Sequence, residues 1–215
     1  IGSDTDHHTA SYALTEEFTS VYRLHPLIPD NIVIRDVRNG NVVSDNSFTD
    51  VQGNATRPSM AEVTLADLFY SFGVSHPGAI RLANYPDTLR HFQRINSREP
   101  PMDLAAVDIL RDRERGVPRY NRFRQLLHKP PVKSFEEITD NPAWAAELRE
   151  VYDGKIDDVD TMIGLLAETP PPGFGFSDTA MRIRSGTFAA EVRPRTALDV
   201  ASGVCSSCAS ASRTG

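Results

Sequence analysis

Cysteine is nearly absent from this sequence: two of 215 residues, Cys205 and Cys208, both in the final stretch. A disulfide framework is thereby excluded as the organising device of the fold. Zinc would need two further ligands paired in the same manner, and the six histidines are scattered without such a pattern. No apolar run is long enough to cross a bilayer. No charged start followed by an apolar core marks a signal peptide, so the compartment stays open, association with a membrane surface included. Basic excess is missing too. The net charge is −6, and no basic stripe interleaved with aromatics appears, which argues against nucleic acid as a partner. Gly173-Phe-Gly175 is only a fragment of a glycine-rich phosphate loop, with no strand pattern before it. No internal repeat is visible.

What remains is a chain of ordinary hydrophobic content, 40%, long enough for one or two domains, whose apolar residues recur mostly at helical spacing. Leu14, Phe18, Val21, Leu24 and His25 fall at steps of three and four. They predict a first helix capped by Ser11 or Thr15, favoured by Glu16 and Glu17 in its first turn and closed by Pro26. Asn31–Arg35 and Asn41–Ser44 flank an Asn39-Gly40 pair, which predicts a β-hairpin. Further helices are expected over 64–72, 85–94, 104–115, 120–127, 134–138, 142–152 and 157–167. The proline-rich pieces Glu99-Pro-Pro, Lys129-Pro-Pro and Thr169-Pro-Pro-Pro punctuate the chain without dividing it into domains.

The most informative segment is Val21-Tyr-Arg-Leu-His-Pro-Leu-Ile-Pro-Asp30. In a helix, residues i and i+3 share a face with Cβ atoms about 5–6 Å apart, so Tyr22 and His25 would address one cofactor, one as ligand and one as redox partner. On spacing alone, a histidine at the end of an amphipathic helix is more often a hydrogen-bonded core or surface residue than a ligand.

The segment from Leu14 to Asp30, Leu-Thr-Glu-Glu-Phe-Thr-Ser-Val-Tyr-Arg-Leu-His-Pro-Leu-Ile-Pro-Asp, resembles the proximal-histidine helix of the animal-type haem peroxidase and cyclooxygenase superfamily, and within it the fatty-acid α-dioxygenases. A second block, Met102-Asp-Leu-Ala-Ala-Val-Asp-Ile-Leu-Arg-Asp-Arg-Glu-Arg-Gly-Val-Pro-Arg-Tyr-Asn-Arg-Phe-Arg124, is similar to the helix and turn that pack behind that histidine. A third, from Ser134 through Tyr152, also looks like the family, without an assignable chemical role. The resemblance spans residues 12–181. It implies a mainly α fold, part of an α-helical haem peroxidase-like domain with a short β-hairpin.

The resemblance also implies chemistry. His25 would be the proximal ligand of the haem iron, and Tyr22 the radical that removes hydrogen from a fatty acid, with O2 and a peroxide activator as the other reactants. Asp108 stands where related peroxidases place an asparagine that accepts the proximal imidazole N–H. A carboxylate there would raise ligand basicity further than an amide. Arg113, and after it Arg111, would reach a haem propionate, a use suited to a planar bidentate donor. Taken without the family, Arg111-Asp-Arg-Glu-Arg115 is a mixed-charge run of the kind found on solvated helix faces.

Both ends depart from the pattern. Family enzymes carry a distal histidine well upstream of the proximal helix, whereas the sequence begins at Ile1, and His7 and His8 read as a solvated loop. After Met181 the text turns to Ser/Ala/Gly of low complexity, which predicts a disordered tail over 182–215 and fits a shift in reading frame near that point. The expected organisation is thus the C-terminal part of a catalytic domain over 1–181 followed by that tail. The expected function is haem-dependent fatty-acid dioxygenation, incomplete in this chain. Two other readings stand beside it: a haem peroxidase oxidising small donors, and a non-catalytic, haem-free fragment.

Overall fold

Helices laid around one apolar centre, with a two-stranded hairpin to the side, make up the structure, a computed structural model that describes residues 16–93 and 98–184. In chain order the elements are α1 (Glu16–Val21), the 3-10 turn His25–Leu27, β1 (Asn31–Arg35), β2 (Val42–Ser47), α2 (Thr56–Ser59), α3 (Leu65–Val74), α4 (Asp87–Arg90), α5 (Leu104–Glu114), α6 (Tyr120–Leu126), α7 (Pro142–Val151), α8 (Thr161–Ala167) and α9 (Asp178–Arg184). Short 3-10 turns at Phe48–Val51, Gly53–Ala55, Phe135–Glu137 and Ile156–Asp158 join them. The mainly α expectation with one hairpin holds.

Helix starts follow their caps. Thr64 accepts from Asp67 N at 3.1 Å to open α3, and Asp103 accepts from Ala105 N and Ala106 N at 2.9 and 3.2 Å to open α5. Asn141 does the same for α7, with Pro142 in the first turn, where a missing N–H removes no helical bond. In the hairpin, β1 and β2 pair antiparallel with Ile32 opposite Asn46 and Ile34 opposite Ser44, and an irregularity at Ile34/Arg35 shifts the register so that Arg35 meets Val42.

The core forms where α6, α7 and α8 meet the end of α1, around Tyr120, Phe123, Phe135, Ile138, Leu148 and Val159. Gly164 on α8 lies flat against the Tyr120 ring: a Cβ built there falls 2.3 Å from both Cγ and Cδ2. The two helices therefore approach more closely than any side chain at 164 permits. The side-chain amide of Asn121 replaces a strand partner for the loop after α6, donating to Val132 O and accepting from Val132 N, both at 2.9 Å. Buried backbone groups in a loop need such partners.

Several expected elements differ. The first helix stops at Val21, short of Pro26, and His25 opens a separate 3-10 turn. Pro26 has no N–H to give the Tyr22 carbonyl four residues back, and its ring clashes there; that carbonyl accepts from Leu24 N at 2.8 Å instead, so the α-helix ends early, and Tyr22 and His25 do not share one helical face. Its expected caps, Ser11 and Thr15, lie outside the described residues. The helix expected over 85–94 shrinks to Asp87–Arg90, the one over 134–138 is a 3-10 turn, and the one over 157–167 divides at Asp160 into a 3-10 turn and α8. Helix α9 crosses the expected domain boundary at residue 181. The remainder of the expected tail, with Cys205 and Cys208, lies outside the described residues. On α3 the periodic apolar residues face outward, with Leu65, Phe69 and Phe72 at 73%, 75% and 59% exposure. The buried side of that helix is instead Ser71, whose Oγ accepts from Arg35 N at 2.7 Å and fixes α3 to β1.

Candidate active site

Four segments meet at the turn after α1, and each has a physical reason to be there. The 3-10 turn that carries His25 is closed by Leu27 N to Leu24 O at 3.0 Å and Ile28 N to His25 O at 2.9 Å. Behind it runs the stretch from Gly78 to Tyr85. Gly78 donates its N–H to Leu27 O at 3.1 Å, and a Cβ at that position would fall 2.1 Å from the Pro26 carbonyl oxygen. Only a glycine lets the two backbones touch. Asn84 Nδ2 spans the gap, donating to Ala79 O at 2.7 Å and Pro26 O at 3.3 Å. Leu82 N is held by Leu166 O at 3.0 Å, and Asp87 N by Asp30 Oδ1 at 2.8 Å. Tyr85 is thereby anchored on both sides and projects at His25.

Helix α5 supplies the fourth piece. Asp108 and Asp112, one helical turn apart, are both buried, an arrangement that needs a cation close by. Arg23 answers it, donating through Nη1 to Asp108 Oδ1 and through Nη2 to Asp112 Oδ1, the latter at 3.1 Å. Ser20 Oγ donates to Asp112 Oδ2 at 2.6 Å. Burial pushes the Asp112 carboxyl above the usual carboxylate range, against the pull of Ser20 and Arg23. The free oxygen of Asp108 faces the histidine. Its Oδ2 lies 3.3 Å from His25 Nδ1 and accepts from the Tyr85 hydroxyl at 3.1 Å. Tyr85 Oη is 3.0 Å from the same Nδ1. Burial first, then the Asp108 charge, drives the Tyr85 phenol well above its ordinary range, so it remains protonated at neutral pH.

The structure thus brings His25 and Asp108 together, as the sequence predicted, and adds Tyr85, Arg23 and Ser20. Tyr22 lies in the turn between α1 and His25, 41% exposed, its ring stacked on Phe18 at 4.1 Å between centroids. The arginines of α5 do not join this group. Arg113 spends Nε and Nη2 on Asp160, at 2.9 and 2.6 Å. Asp160 also accepts from Arg119 and, at 2.9 Å, from Tyr152. Arg113 is 49% exposed and Asp160 4% exposed. Arg111 is exposed in the last turn of α5, with no ion pair among the described residues.

One signal for the missing residues was present in the sequence. Asp108 and Asp112 at i and i+4 place two carboxylates on one helix face, and Arg23 sits inside the very motif that carries His25. Tyr85 had no such signal.

The geometry suits a histidine that ligates through Nε2. Nδ1 faces a carboxylate and a phenol, which fixes the ring as a donor on that side and leaves the Nε2 lone pair with no hydrogen-bond partner among the described residues. An imidazole presented in this way would fit a haem iron, for which histidine is a common protein ligand. No three His, Cys, Asp or Glu side chains gather as a metal-ion site among the described residues.

The family model for Animal haem peroxidase matches residues 3–192, and the chain belongs to that family. Within it, the chain is 40% identical to Alpha-dioxygenase 2 of Arabidopsis thaliana over 187 residues, 82% of this chain and 30% of that protein. A fatty acid alpha-dioxygenase from Arabidopsis thaliana superposes with a TM-score of 0.75 at 37% identity, covering 82% of this chain and 29% of that one. The Oryza sativa fatty acid alpha-dioxygenase, solved as a tyrosine-to-phenylalanine form with palmitic acid, gives 0.75 at 34%, covering 83% and 31%. The chain spans about three tenths of the length of these relatives. Among the described residues no helix is long and apolar enough to cross a membrane.

Proposed function

We propose that this segment belongs to a haem-dependent fatty-acid dioxygenase in which His25 would hold the iron. The observation that carries the proposal is the pair of contacts at His25 Nδ1, 3.0 Å to Tyr85 Oη and 3.3 Å to Asp108 Oδ2, which turn Nε2 outward as a lone-pair donor. The likeness to fatty-acid α-dioxygenases, one of them solved with palmitic acid, supports the substrate class.

Haem, bound there, supplies the oxidising power that a peroxide activates. The chain's own residues would act beside it. His25 Nε2 would hold the iron, and Asp108 orients His25 and would raise its basicity as a ligand. Tyr22 would be the phenol that, after losing its hydroxyl hydrogen as an electron and a proton to the oxidant that bound haem supplies, takes a hydrogen atom from the fatty acid; the carbon radical adds O2, and the resulting peroxyl radical takes that hydrogen back from the Tyr22 hydroxyl, giving the hydroperoxide and the tyrosyl radical again. The Phe18 ring holds Tyr22 in place during this exchange. Arg113, held to Asp160 through Nε and Nη2, and the exposed Arg111 are the candidates for a haem propionate.

Haem titrated into the chain should give a Soret band that His25→Ala removes and that added imidazole restores in the variant. Rescue separates a lost ligand from a lost fold. A band unchanged in position and height in His25→Ala would withdraw His25 as the ligand.

A further inference from the structure

Tyr85, His25 and Asp108 present three atoms that must share two protons. The distances are nearly equal: 3.0 Å from Tyr85 Oη to His25 Nδ1, 3.1 Å from Tyr85 Oη to Asp108 Oδ2 and 3.3 Å from Nδ1 to Oδ2. The other Asp108 oxygen is taken by Arg23, so Oδ2 is the acceptor the two rings have in common. A phenol proton goes to a carboxylate in preference to a neutral nitrogen, because the charged acceptor makes the stronger bond. The imidazole proton then has two acceptors, the phenol oxygen and an Oδ2 already engaged. The two rings meet tilted by 54°, with centroids 5.4 Å apart, an edge contact that aims the hydroxyl at the pair of heteroatoms without stacking the rings.

We infer that Tyr85 is a positioning residue that moderates the Asp108–His25 hydrogen bond: by occupying Asp108 Oδ2, it limits how much negative character the carboxylate passes to the imidazole. The consequence for iron rests on the reading of His25 as haem ligand; the hydrogen-bond sharing does not. Tyr85 thus acts against Asp108. The carboxylate strengthens the ligand, and the phenol holds that strengthening to an intermediate value.

The sign of the effect makes the role testable. In Tyr85→Phe the ring, its packing and its anchors at Asn84 and Asp87 remain, while Oδ2 is released to His25 alone. In the chain without haem, the His25 Nδ1–H proton resonance should move downfield as its bond to Asp108 shortens. In the haem-loaded chain, the ferrous iron–imidazole stretch should rise and the midpoint potential fall, with Asp108→Asn moving both the other way. A tyrosine that only packs would leave all three readouts at parent values, and a tyrosine that supports the cluster would move them in the Asp108→Asn direction; either result overturns the inference. If the Nδ1–H resonance moves downfield but no His25-dependent Soret band forms, the haem reading fails while the role of Tyr85 stands. If the band forms and the resonance does not move, the reverse holds.

Discussion

Tyr22→Phe, in a full-length family protein carrying this segment, is expected to abolish oxygen uptake with a long-chain fatty acid while haem binding and reaction with peroxide continue. Phenylalanine keeps the ring and its stacking on Phe18, 4.1 Å away between centroids, so the local packing is preserved. What it removes is the O–H bond, the one source of a transferable hydrogen on that side chain. Oxygen consumption should fall to the level of a haem-free control, whereas peroxide-driven oxidation of a small phenol, measured in parallel, should stay near the parent rate. This pair of assays also separates the two catalytic readings. An enzyme that only oxidises small donors needs no tyrosine three residues before its ligand, so it would lose little in either assay. Near-parental oxygen uptake by the variant would withdraw the radical role of Tyr22 and put the peroxidase reading ahead.

The second large effect is on stability. Gly164→Ala places a methyl carbon 2.3 Å from two ring atoms of Tyr120, a residue with no solvent exposure. Neither helix can yield without disturbing the core at Phe123 and Leu165. Overpacking of a tight core costs about 3 kcal/mol at its upper end, which for a domain of this size lowers the melting temperature by roughly 6–12 °C. Tyr120→Phe should not rescue the alanine, because Cγ and Cδ2 remain where they were. That second change removes the 2.8 Å bond from Tyr120 Oη to Glu168 and should destabilise the chain further. Melting of Gly164→Ala within a degree or two of the parent, followed by circular dichroism, would show that α6 and α8 separate freely.

Local signals were legible in the sequence and long-range ones were not. Thr64, Asp103 and Asn141 each cap the helix expected after them, because a cap bonds within three residues. The hairpin was readable from Asn39-Gly40 for the same reason. At the site, the pairing of His25 with Asp108 was reachable only through resemblance to the family. Tyr85 was missed because its neighbours, Asn84, Pro86 and Asp87, look like a helix start and nothing more. What gives it meaning is the carbonyl of Pro26 and the carboxylate of Asp30, both in another segment. The pairing of Arg113 with Asp160 was not readable, because a guanidinium in a mixed-charge run carries no mark of which carboxylate it will find, and Asp160 lies far along the chain. The outward face of α3 shows the limit of periodicity itself. Leu65, Phe69 and Phe72 fix the element as a helix but do not say that Ser71 is the side that packs on β1.

The cluster around His25 also bears on the order in which the protein is made. Its bonds join residues 60 apart at Tyr85–His25, 85 apart at Arg23–Asp108 and 92 apart at Ser20–Asp112. Contacts of such sequence separation form late, since a long loop must close before they return any stability. Until then the imidazole of His25 is one of six histidines, with nothing to orient it or strengthen its ligand atom. Haem offered to the unfolded chain during refolding therefore has no reason to select His25, and pigment trapped on other histidines should appear as heterogeneous, low-spin spectra. If His25 is the ligand proposed above, haem added after refolding should meet an imidazole already aimed, and the timing of cofactor addition should govern how uniform the product is.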